Sequence, residues 1–396
     1  MRRVYLTTIL AAVLVLAVFF SAYYGRGGES GIRVVKVGFI YDTDESTPYT
    51  YNFSMAERAL EKEFGDQVKV YVHSNVSDSE TLEPIQELVR GGCDIIFTNN
   101  YSKQFEEGAR MYPNVQFCQS SFNAGKHEDC PKNYHTFNAS IYQGRYVTGV
   151  AAGLKLRDMI DNHIIDPEQA LVGYIGAFSS VEVVSGYTAF LLGVRSVAPE
   201  AVMRVRYTGS WSSYTKEKAC AKQLIEEGCV IVAQHTDTIG PAMACEEMYG
   251  KKRVYHVGYN QNMIDIAPNT SLISARVNWA PYVVQATEAV LENKPIERCV
   301  DADIHDNDAC GGLERDWVEV LELNKQLAAY GTEAKLNKVI EGLKKGTVEV
   351  FKGDYTGVSL NDPADTIDLS LGYKENDGVS WATFGYLLKD IITVEE

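Results

Sequence analysis

One stretch, residues 230–237, constrains the fold of this chain more than any other. Its first half is small or β-branched and apolar, and its second half is polar: Gln234, His235, Thr236 and Asp237. An unbroken apolar run of this length, bounded by Gly228 and Gly240, predicts a strand buried on both faces of a parallel sheet. In open α/β sheets ligands bind outside the carboxyl ends of the strands, so these polar side chains are candidates for a binding site.

The chain has 396 residues, more than one hydrophobic core usually organises, which predicts two domains. Strand and helix patterns alternate from residue 34 to about residue 278, as in a parallel sheet with helices on both faces. One sequence pattern occurs twice in the chain. Residues 87–97 and residues 223–233 both contain the end of a helix, a glycine, a cysteine and a buried apolar strand. Two halves of like topology are the simplest interpretation.

The last third of the chain has weaker patterns. Residues 296–316 are polar and acidic, which predicts a surface loop. Residues 334–344 have the spacing of a helix, and residues 347–351 have the composition of a strand. Residues 361–378 predict an irregular segment.

The formal net charge is −16, which opposes nucleic acid and anionic membrane surfaces as partners. No basic stripe with interleaved aromatic residues is present, so we expect no nucleic-acid binding. The sequence has no C-x-x-C and no cysteine–histidine cluster with zinc spacing, so we expect no metal site. P-loop, dinucleotide and nucleophile-elbow motifs are also absent, and we expect no cofactor.

The N-terminal residues carry the pattern of a targeting segment. An uncharged run over residues 4–24 follows Arg2 and Arg3 and is long enough to span a bilayer, with the arginines on the cytoplasmic side. We favour an uncleaved signal anchor over residues 1–24, and a cleaved signal peptide is the alternative. Glycine-rich residues 25–33 then form a flexible linker, and the rest of the chain is expected outside the cytoplasm.

Eight cysteines follow, a number compatible with disulfides in an oxidising compartment. Three pairs are candidates for bridges: Cys299 with Cys310, Cys118 with Cys130, and Cys220 with Cys245. Spacing alone leaves the pairing open. Cys93 and Cys229 lie at predicted strand starts, where we expect buried free thiols.

Aromatic residues near strand ends are candidates for packing on a planar ligand. Trp211 follows a strand end, where stacking is worth about 1–3 kcal/mol per nucleobase; the alternative is a residue that only shields the sheet. Tyr49 and Tyr51, on the first loop, are candidates for the opposite ligand face or for packing at the helix start. Phe122 ends a first-half strand. Trp279 lies near the predicted junction of the halves, where packing and ligand contact are equally compatible.

Polar residues at strand ends are candidates for directional contacts. His235 and Asp237 are two residues apart on an extended segment and therefore point the same way. An enzyme would use them as an acid–base pair, and a binding protein would use them as hydrogen-bond partners, with Asp237 accepting from an amine or ring N–H. Asn260 ends a strand in the matching position.

Three further polar residues have two interpretations each. Asn52 binds a polar ligand edge or caps the first helix. Gln119 ends a first-half strand, where it contacts a ligand or is internal to the fold. Arg145 anchors a helix against acidic neighbours or contacts the ligand.

Several blocks of sequence carry a family signal. The longest, residues 172–200, reads VGYIGAFSSVEVVSGYTAFLLGVRSVAPE. The other blocks are Tyr142-Gln-Gly-Arg-Tyr146 with Gly149; Gly209-Ser-Trp211; Gln234-His-Thr-Asp237; and Gly258-Tyr-Asn-Gln-Asn-Met263 followed by Asn278-Trp-Ala-Pro-Tyr282. From about residue 36 to residue 351 the chain resembles the basic membrane protein family. These are extracytoplasmic solute-binding proteins of ABC importers, several of which bind purine nucleosides or purine bases.

The resemblance implies an α/β fold of the type I periplasmic-binding-protein kind. Two Rossmann-like lobes with parallel sheets are joined by a hinge of several strands, and the ligand is held between them. On this sequence, residues 34–140 and about 279–335 would form lobe 1. Residues about 141–278 and 336–396 would form lobe 2.

The chain departs from the family pattern at several points. Family members usually carry a lipidated cysteine after the signal, whereas here no cysteine precedes Cys93, so the mode of anchoring is in question. They often carry an acidic residue at the position of Gln143 and an aspartate at that of Asn260. Amides in place of carboxylates remove acceptor-only groups and add donors. This predicts a ligand richer in acceptors, or one outside the purines.

The N-terminal segment and the resemblance together predict a membrane-tethered, monomeric, extracytoplasmic binding protein without enzyme activity. It would close over a small polar aromatic ligand, foremost a purine nucleoside or nucleobase, and deliver it to the permease subunits of an ABC transporter. Two alternatives stay open. One is a sensory receptor that reports the ligand to a membrane partner, and the other is a nucleosidase-like hydrolase that uses His235 and Asp237.

Overall fold

The computed structural model describes residues 33–121 and 129–395. Within these ranges the chain forms two seven-stranded sheets and one three-stranded sheet. The strands are β1 (Val35–Ile40), β2 (Val68–His73), β3 (Ile95–Thr98), β4 (Gln116–Ser120), β5 (Tyr134–Ala139), β6 (Leu171–Gly176), β7 (Val202–Tyr207), β8 (Ile231–His235), β9 (Tyr255–Tyr259), β10 (Ser271–Val277), β11 (Asp303–His305), β12 (Asp308–Gly311), β13 (Val318–Val320), β14 (Thr356–Ser359), β15 (Thr366–Asp368), β16 (Tyr386–Leu388) and β17 (Ile392–Glu395).

Helices cover the faces of the two large sheets. They are α1 (Pro48–Phe64), α2 (Leu82–Arg90), α3 (Gln104–Met111), α4 (Ile141–Asp161), α5 (Val181–Arg195), α6 (Tyr214–Glu226), α7 (Gly240–Glu247), α8 (Ala280–Leu291) and α9 (Thr332–Lys344).

The first large sheet has the strand order β11-β12-β5-β4-β3-β1-β2. Every pairing in it is parallel except the one between β11 and β12. Strand β3, which lies between β4 and β1, is buried throughout, which is why its sequence is a continuous apolar run rather than an alternating one.

The second large sheet has the order β13-β10-β9-β8-β6-β7-β17, and only β13 runs antiparallel to its neighbour. Its core β7-β6-β8-β9-β10 repeats the order β2-β1-β3-β4-β5 of the first sheet. This is the 2-1-3-4-5 order of doubly wound α/β folds. The predicted α/β architecture with two Rossmann-like parallel sheets is therefore confirmed.

Strand β8 has the position that its sequence predicts. All of its residues are buried, and it lies between β6 and β9. It is the third strand of the second half, as β3 is of the first. The sequence pattern shared by residues 87–97 and 223–233 therefore reflects equivalent positions in the two sheets.

The chain passes between the two large sheets three times. β5 ends at Ala139 and leads into α4, β10 ends at Val277 before α8, and β12 ends at Gly311 before β13. β13 lies within residues 279–335, but it pairs with β10 of the second sheet. That segment therefore supplies strands to both sheets.

Helices α4 and α5 pack with their backbones in contact. A Cβ atom built on Gly149 would lie 2.1 Å from the carbonyl oxygen of Phe190, and one built on Gly193 would lie 2.1 Å from that of Tyr146. Both distances are far below van der Waals contact. Glycine is therefore required at both positions for this helix pair to form.

Two predictions for the last third of the chain are wrong, and a third is incomplete. Residues 296–316 are not only a surface loop, because they contain β11 and β12, and β12 pairs with β5. Residues 347–351 are not a strand: the N–H groups of Thr347 and Val348 both donate to Gly342 at the end of α9. Residues 361–378 contain strand β15. The predicted helix over residues 334–344 is confirmed as α9.

The C-terminal segment contacts both halves of the fold. β14, β15 and β16 form the small sheet, and β17 extends the second sheet by pairing with β7. Between them, the backbone N–H of Ser380 donates to Asp308 of β12 at 2.7 Å. The carboxylate of Glu375 accepts from the Ser185 hydroxyl of α5 at 2.6 Å.

All eight cysteines are free thiols, so none of the three candidate bridges forms. Cys93 and Cys229 are buried, as predicted. Burial raises the pKa of Cys93 to about 11 and that of Cys229 to about 12. These thiols are therefore protonated and poorly reactive at neutral pH.

Residues 1–32 lie outside the described part of the chain, and so do the predicted signal segment and most of the predicted linker. From residue 33 onward, with residues 122–128 and 396 left out, no helix has the length and apolarity to cross a membrane.

Candidate functional site

The candidate site is built on the carboxyl ends of the strands in the second sheet. β8 ends with Gln234 and His235 and is followed by Thr236 and Asp237, while β9 is followed directly by Asn260. The side chains of these residues are buried. Parallel pairing of β8 with β9 brings the two strand ends to the same edge, so the two polar segments meet there.

A chain of amides connects this edge to the first half of the protein. Asn52, on α1, donates from Nδ2 to the backbone oxygen of Asn260 at 3.3 Å and to its Oδ1 at 3.2 Å. Asn260 in turn donates from Nδ2 to Asp237 Oδ1 at 3.4 Å. Asn260 has a φ of 59°, a left-handed conformation that asparagine tolerates better than most residues.

Asp237 is held in place by its backbone and is only 8% exposed. Its N–H donates to the carbonyl of Trp211 at 2.9 Å, which fixes the strand end against the loop after β7. Burial raises the pKa of Asp237 to about 8, with acidic Glu217, Asp42 and Glu182 adding to the rise and the Asn260 hydrogen bond opposing it. At neutral pH this carboxyl therefore carries a proton and can donate as well as accept.

Aromatic rings line the same edge. The ring of Trp211 lies 6.1 Å from that of His235 and 5.8 Å from that of Phe178. The rings of His235 and Tyr259 are 4.9 Å apart. Trp211 is only partly buried, so part of its ring surface is exposed.

His235 is fully buried, and neither ring nitrogen has a hydrogen-bond partner among the described residues. Burial, with a further contribution from the nearby Arg145 cation, holds its pKa well below the usual range. Its Nε2 lies 3.7 Å from Glu182 Oε1. His235 is therefore a neutral imidazole that offers one donor and one acceptor.

Arg145 and Glu182 approach the site from α4 and α5. Arg145 donates from Nη1 to the carbonyl of Gln234 at 2.6 Å, and its Cζ lies 3.7 Å from the centre of the Tyr259 ring. Its Nε and Nη2 and the Oε2 of Glu182 are buried without partners among residues 33–121 and 129–395. Burial raises the pKa of Glu182 to about 7, although Arg145 lowers it in part.

The first half contributes α1 and the loops around it. The hydroxyl of Tyr49 lies 3.2 Å from that of Ser120 at the end of β4, and its ring packs 6.2 Å from Trp279. Tyr51 is 39% exposed, and the Arg58 guanidinium lies 5.5 Å from its ring centre. Asn52 lies within α1, so it does not cap that helix.

Two candidates from the sequence are occupied by internal contacts. Gln119 accepts from the Tyr134 hydroxyl at 2.5 Å and donates to the carbonyl of Asn100 at 2.8 Å, so its amide holds the first sheet together. Trp279 stacks on Phe53 at 4.8 Å in the core. Phe122 lies outside the described residues.

Gln143 does not face the site, contrary to the expectation drawn from its family position. Its Oε1 accepts from the backbone N–H of Leu313 at 2.8 Å, near the crossing that follows β12. Of the two amide-for-acid exchanges, only the one at Asn260 therefore touches the polar edge.

Glu182 and Tyr174 belong to the same buried cluster as the sequence candidate Thr236, but they are not themselves among the sequence candidates. The hydroxyls of Tyr174 and Thr236 have no partner in the described part of the chain. Position after a strand identifies Thr236. Glu182 lies in the first turn of α5, which follows β6 after a short loop. A search for polar residues in the helix after each strand, as well as directly after the strand, would have identified it.

Comparison with known proteins agrees with this architecture. Residues 31–348 match the family described as ABC transporter substrate-binding protein PnrA-like. A relative from Brucella abortus named a purine-binding protein is 31% identical over 270 residues, which cover 67% of this chain and 71% of the relative. A Haloferax volcanii protein named a putative ABC transporter glucose-binding protein is 26% identical over 269 residues, which cover 67% of this chain and 63% of that protein.

Solved structures share the fold. An ABC transporter solute-binding protein from Conexibacter woesei superposes with a TM-score of 0.60 at 17% identity, covering 80% of this chain and 98% of that one. Another from Aeropyrum pernix gives 0.64 at 13% identity, covering 80% and 92%. Two like sheets, a polar edge between them and the match over residues 31–348 lead to one assignment: this chain belongs to the PnrA-like, or basic membrane protein, family of ABC transporter substrate-binding proteins.

Proposed function

We propose that this protein captures a purine base or purine nucleoside between its two large sheets and presents it to an ABC importer. The main support for this proposal is a cluster of buried polar atoms that have no hydrogen-bond partner within residues 33–121 and 129–395. This cluster comprises atoms of Asn52, Arg145, Tyr174, Glu182, His235 and Thr236. Unpaired buried donors and acceptors cost about 1–3 kcal/mol each, so a polar ligand that pairs with them is strongly favoured there.

A purine fits this cluster better than a purely aliphatic solute. Trp211 offers part of a flat ring, and stacking on such a ring is worth about 1–3 kcal/mol per base. Asp237 and His235 both accept and donate at neutral pH, which suits a ring with nitrogens of both kinds. The relative named a purine-binding protein supports the same class of ligand.

Capture would proceed by closure of two lobes, one around each large sheet. We assign residues 34–140 and about 279–335 to lobe 1 and residues about 141–278 and 336–396 to lobe 2. Strand β13 lies within residues 279–335 but pairs with β10 of the second sheet. Contacts such as that between Asn52 and Asn260 form only when the lobes meet, so they favour the closed state. A permease would then recognise the closed form, and the N-terminal segment would tether the protein outside the cytoplasm.

Sugars form the second candidate class, because a relative carries the name of a putative glucose-binding protein. A hydrolase role for His235 and Asp237 is less favoured, since burial holds both residues neutral at pH 7. A sensory role would use the same site and differ only in the membrane partner.

The test is a thermal-shift screen over nucleobases, nucleosides and sugars, followed by calorimetric titration of the hits. A ligand that binds only the folded protein stabilises it by about 2.7 kcal/mol at a hundredfold excess over Kd. We expect purines to raise the melting temperature and Trp211→Ala to reduce the shift, while exposed Tyr249→Ala serves as the matched control. A shift with sugars alone would reject the purine assignment. Release of free base from an incubated nucleoside would reject a pure binding role.

A further inference from the structure

One edge of the Arg145 guanidinium has no hydrogen-bond partner among the described residues, although the group stacks on the Tyr259 ring. The side chain is 2% exposed, and only Nη1 is used, in its bond to the Gln234 carbonyl. Nε and Nη2 form the opposite edge of the guanidinium and have no partner in the described chain. Because a guanidinium stays charged and offers only donors, this edge selects for acceptors. The hydrogen bond from Nη1 anchors α4 to the end of β8, but it does not account for the burial of the two unpaired nitrogens.

Glu182 faces the same space from the start of α5. Its Oε2 is buried without a partner among the described residues, and its Oε1 lies 3.7 Å from His235 Nε2. Burial raises the pKa of Tyr259, and Arg145 and Glu182 then act on that same hydroxyl with opposite signs. Arg145 Cζ lies 3.7 Å from the centre of the Tyr259 ring, and that ring lies 4.9 Å from the His235 ring that Glu182 approaches. The cation and the carboxyl group therefore flank the same pair of rings.

The chemistry of this pair matches one edge of a purine. The five-membered-ring edge carries N7, which is an acceptor, next to the substituent at C6. Arginine pairs with O6 and N7 of guanine as a recurrent contact in nucleic-acid recognition, and an ionised partner makes the hydrogen bond about twice as strong as a neutral one. A 6-amino group instead donates, and a carboxylate oxygen is its natural acceptor.

We propose that Arg145 donates to N7 of a bound purine and that Glu182 faces the substituent at C6. This assignment rests on the proposed function. The contact to N7 would distinguish purines from rings that lack this acceptor, and Glu182 would distinguish purines by their substituent at C6. Stacking on Trp211 would hold the plane of the ring, while the Arg145 edge would fix its rotation within that plane.

Ligand analogues test the N7 contact on the unmodified protein. Calorimetric titration compares adenine and hypoxanthine with their 7-deaza analogues, in which N7 is replaced by C–H, and with 3-deazaadenine as the control for loss of a ring nitrogen elsewhere. We expect each 7-deaza analogue to bind at least tenfold more weakly than its parent, a difference of about 1.4 kcal/mol, and 3-deazaadenine to stay within threefold of adenine. A loss of less than tenfold for the 7-deaza analogues would overturn the proposal.

Variants assign the contact to its residues. Arg145→Met is expected to bring adenine and 7-deazaadenine within threefold of each other, whereas Arg195→Met, which alters an arginine at the other end of α5 from Glu182, keeps the full discrimination. If Arg145→Met does not fold, Arg145→Leu, which also lacks any donor, is tested in its place, and the same loss of discrimination is expected. Full discrimination in a folded Arg145 variant would exclude Arg145 as the N7 donor.

The role of Glu182 has its own comparison. Glu182→Leu is expected to weaken adenine at least fivefold while unsubstituted purine, which has hydrogen at C6, changes by less than twofold. Equal losses for both ligands would exclude Glu182 as the residue that faces C6. Should no purine bind the wild-type protein at all, the proposed function itself fails. Should purines bind without N7 discrimination, only this subsite assignment fails.

Discussion

Asn52 and Asn260 join the two halves of the protein: the side-chain amide of Asn52 donates to both the backbone oxygen and the side-chain oxygen of Asn260, at 3.3 and 3.2 Å. Asn260 in turn donates a hydrogen bond from Nδ2 to Asp237 Oδ1. Residues 208 positions apart in sequence are thereby linked at the edge where the unpaired polar atoms gather. Under the proposed function, closure of the lobes and recognition of the ligand would depend on the same side chains.

Replacement of Asn52 by alanine is expected to weaken ligand binding by loosening the closed form. One net hydrogen bond contributes about 1 kcal/mol, which corresponds to about a fivefold rise in Kd. Calorimetric titration with the best purine from the screen measures the change. Asn162→Ala, at the exposed end of α4, is the matched control, and equal affinities for the two variants would contradict a role of Asn52 in closure.

Asp237→Asn is expected to stabilise the ligand-free protein at pH 8 more than at pH 5. The pKa of Asp237 is raised by burial to about 8, well above its ordinary value of about 3.9. Between these two values the folded protein keeps a proton that the unfolded chain has released, so rising pH favours unfolding. Asparagine has no proton to lose, and the gain at pH 8 should exceed about 1 kcal/mol, because each unit of pKa shift corresponds to about 1.4 kcal/mol.

Chemical denaturation at both pH values measures this effect. The exposed Asp161→Asn variant is the control and should follow the wild-type pH dependence, since Asp161 lies at the surface end of α4. A stability gain for Asp237→Asn that is the same at pH 5 and pH 8 would show that Asp237 is ionised in the folded protein across this range.

Gly149→Ala is expected to disrupt the packing of α4 against α5. The added methyl would lie 2.1 Å from the carbonyl oxygen of Phe190, and a backbone atom cannot move aside as a side chain does. Overpacking of this kind costs about 1–3 kcal/mol, so the melting temperature should fall. Asp161→Ala, on the same helix but exposed, should leave it nearly unchanged. A Gly149→Ala protein as stable as the control would show that the two helices can separate without loss.

Glu375→Ala is expected to release the C-terminal segment. The carboxylate accepts from Ser185 Oγ at 2.6 Å, from Thr383 N at 3.0 Å and from Phe384 N at 2.8 Å, and it is buried. Its removal leaves these donors unpaired, at about 1–3 kcal/mol for each that stays buried. Limited proteolysis should then cleave near residues 375–384 faster than in the wild type. The exposed Glu349→Ala variant should be cleaved at the wild-type rate, and equal rates for both variants would contradict a fastening role of Glu375.

The sequence predicts the central strands well because burial on both faces leaves a continuous apolar run, as in β3 and β8. It fails where a strand depends on its neighbour. β12 is short and contains Asp308, yet it is a strand because β5 supplies its backbone partners and Thr136 pairs with the Asp308 carboxylate at 2.7 Å. No periodic pattern within residues 308–311 records that contact.

In the candidate site, too, some residues are predictable from the sequence and others are not. Asp237, His235 and Asn260 are predicted from their place after a strand, and the structure brings them to one edge. Gln119 satisfies the same rule, but its amide is taken up by Tyr134 and Asn100, contacts that sequence spacing does not reveal. Arg145 and Glu182 enter from helices, and only tertiary packing shows that their free polar atoms face the strand ends.

Difference electron density from crystals grown with a purine that shifts the melting temperature is the most direct test of ligand capture between the two sheets. We expect the ring to lie against Trp211, with polar contacts to Asp237 from one half of the protein and to Asn52 or Tyr49 from the other. Density for the purine at a site that touches only one large sheet, or away from Trp211 and Asp237, would contradict capture between the lobes.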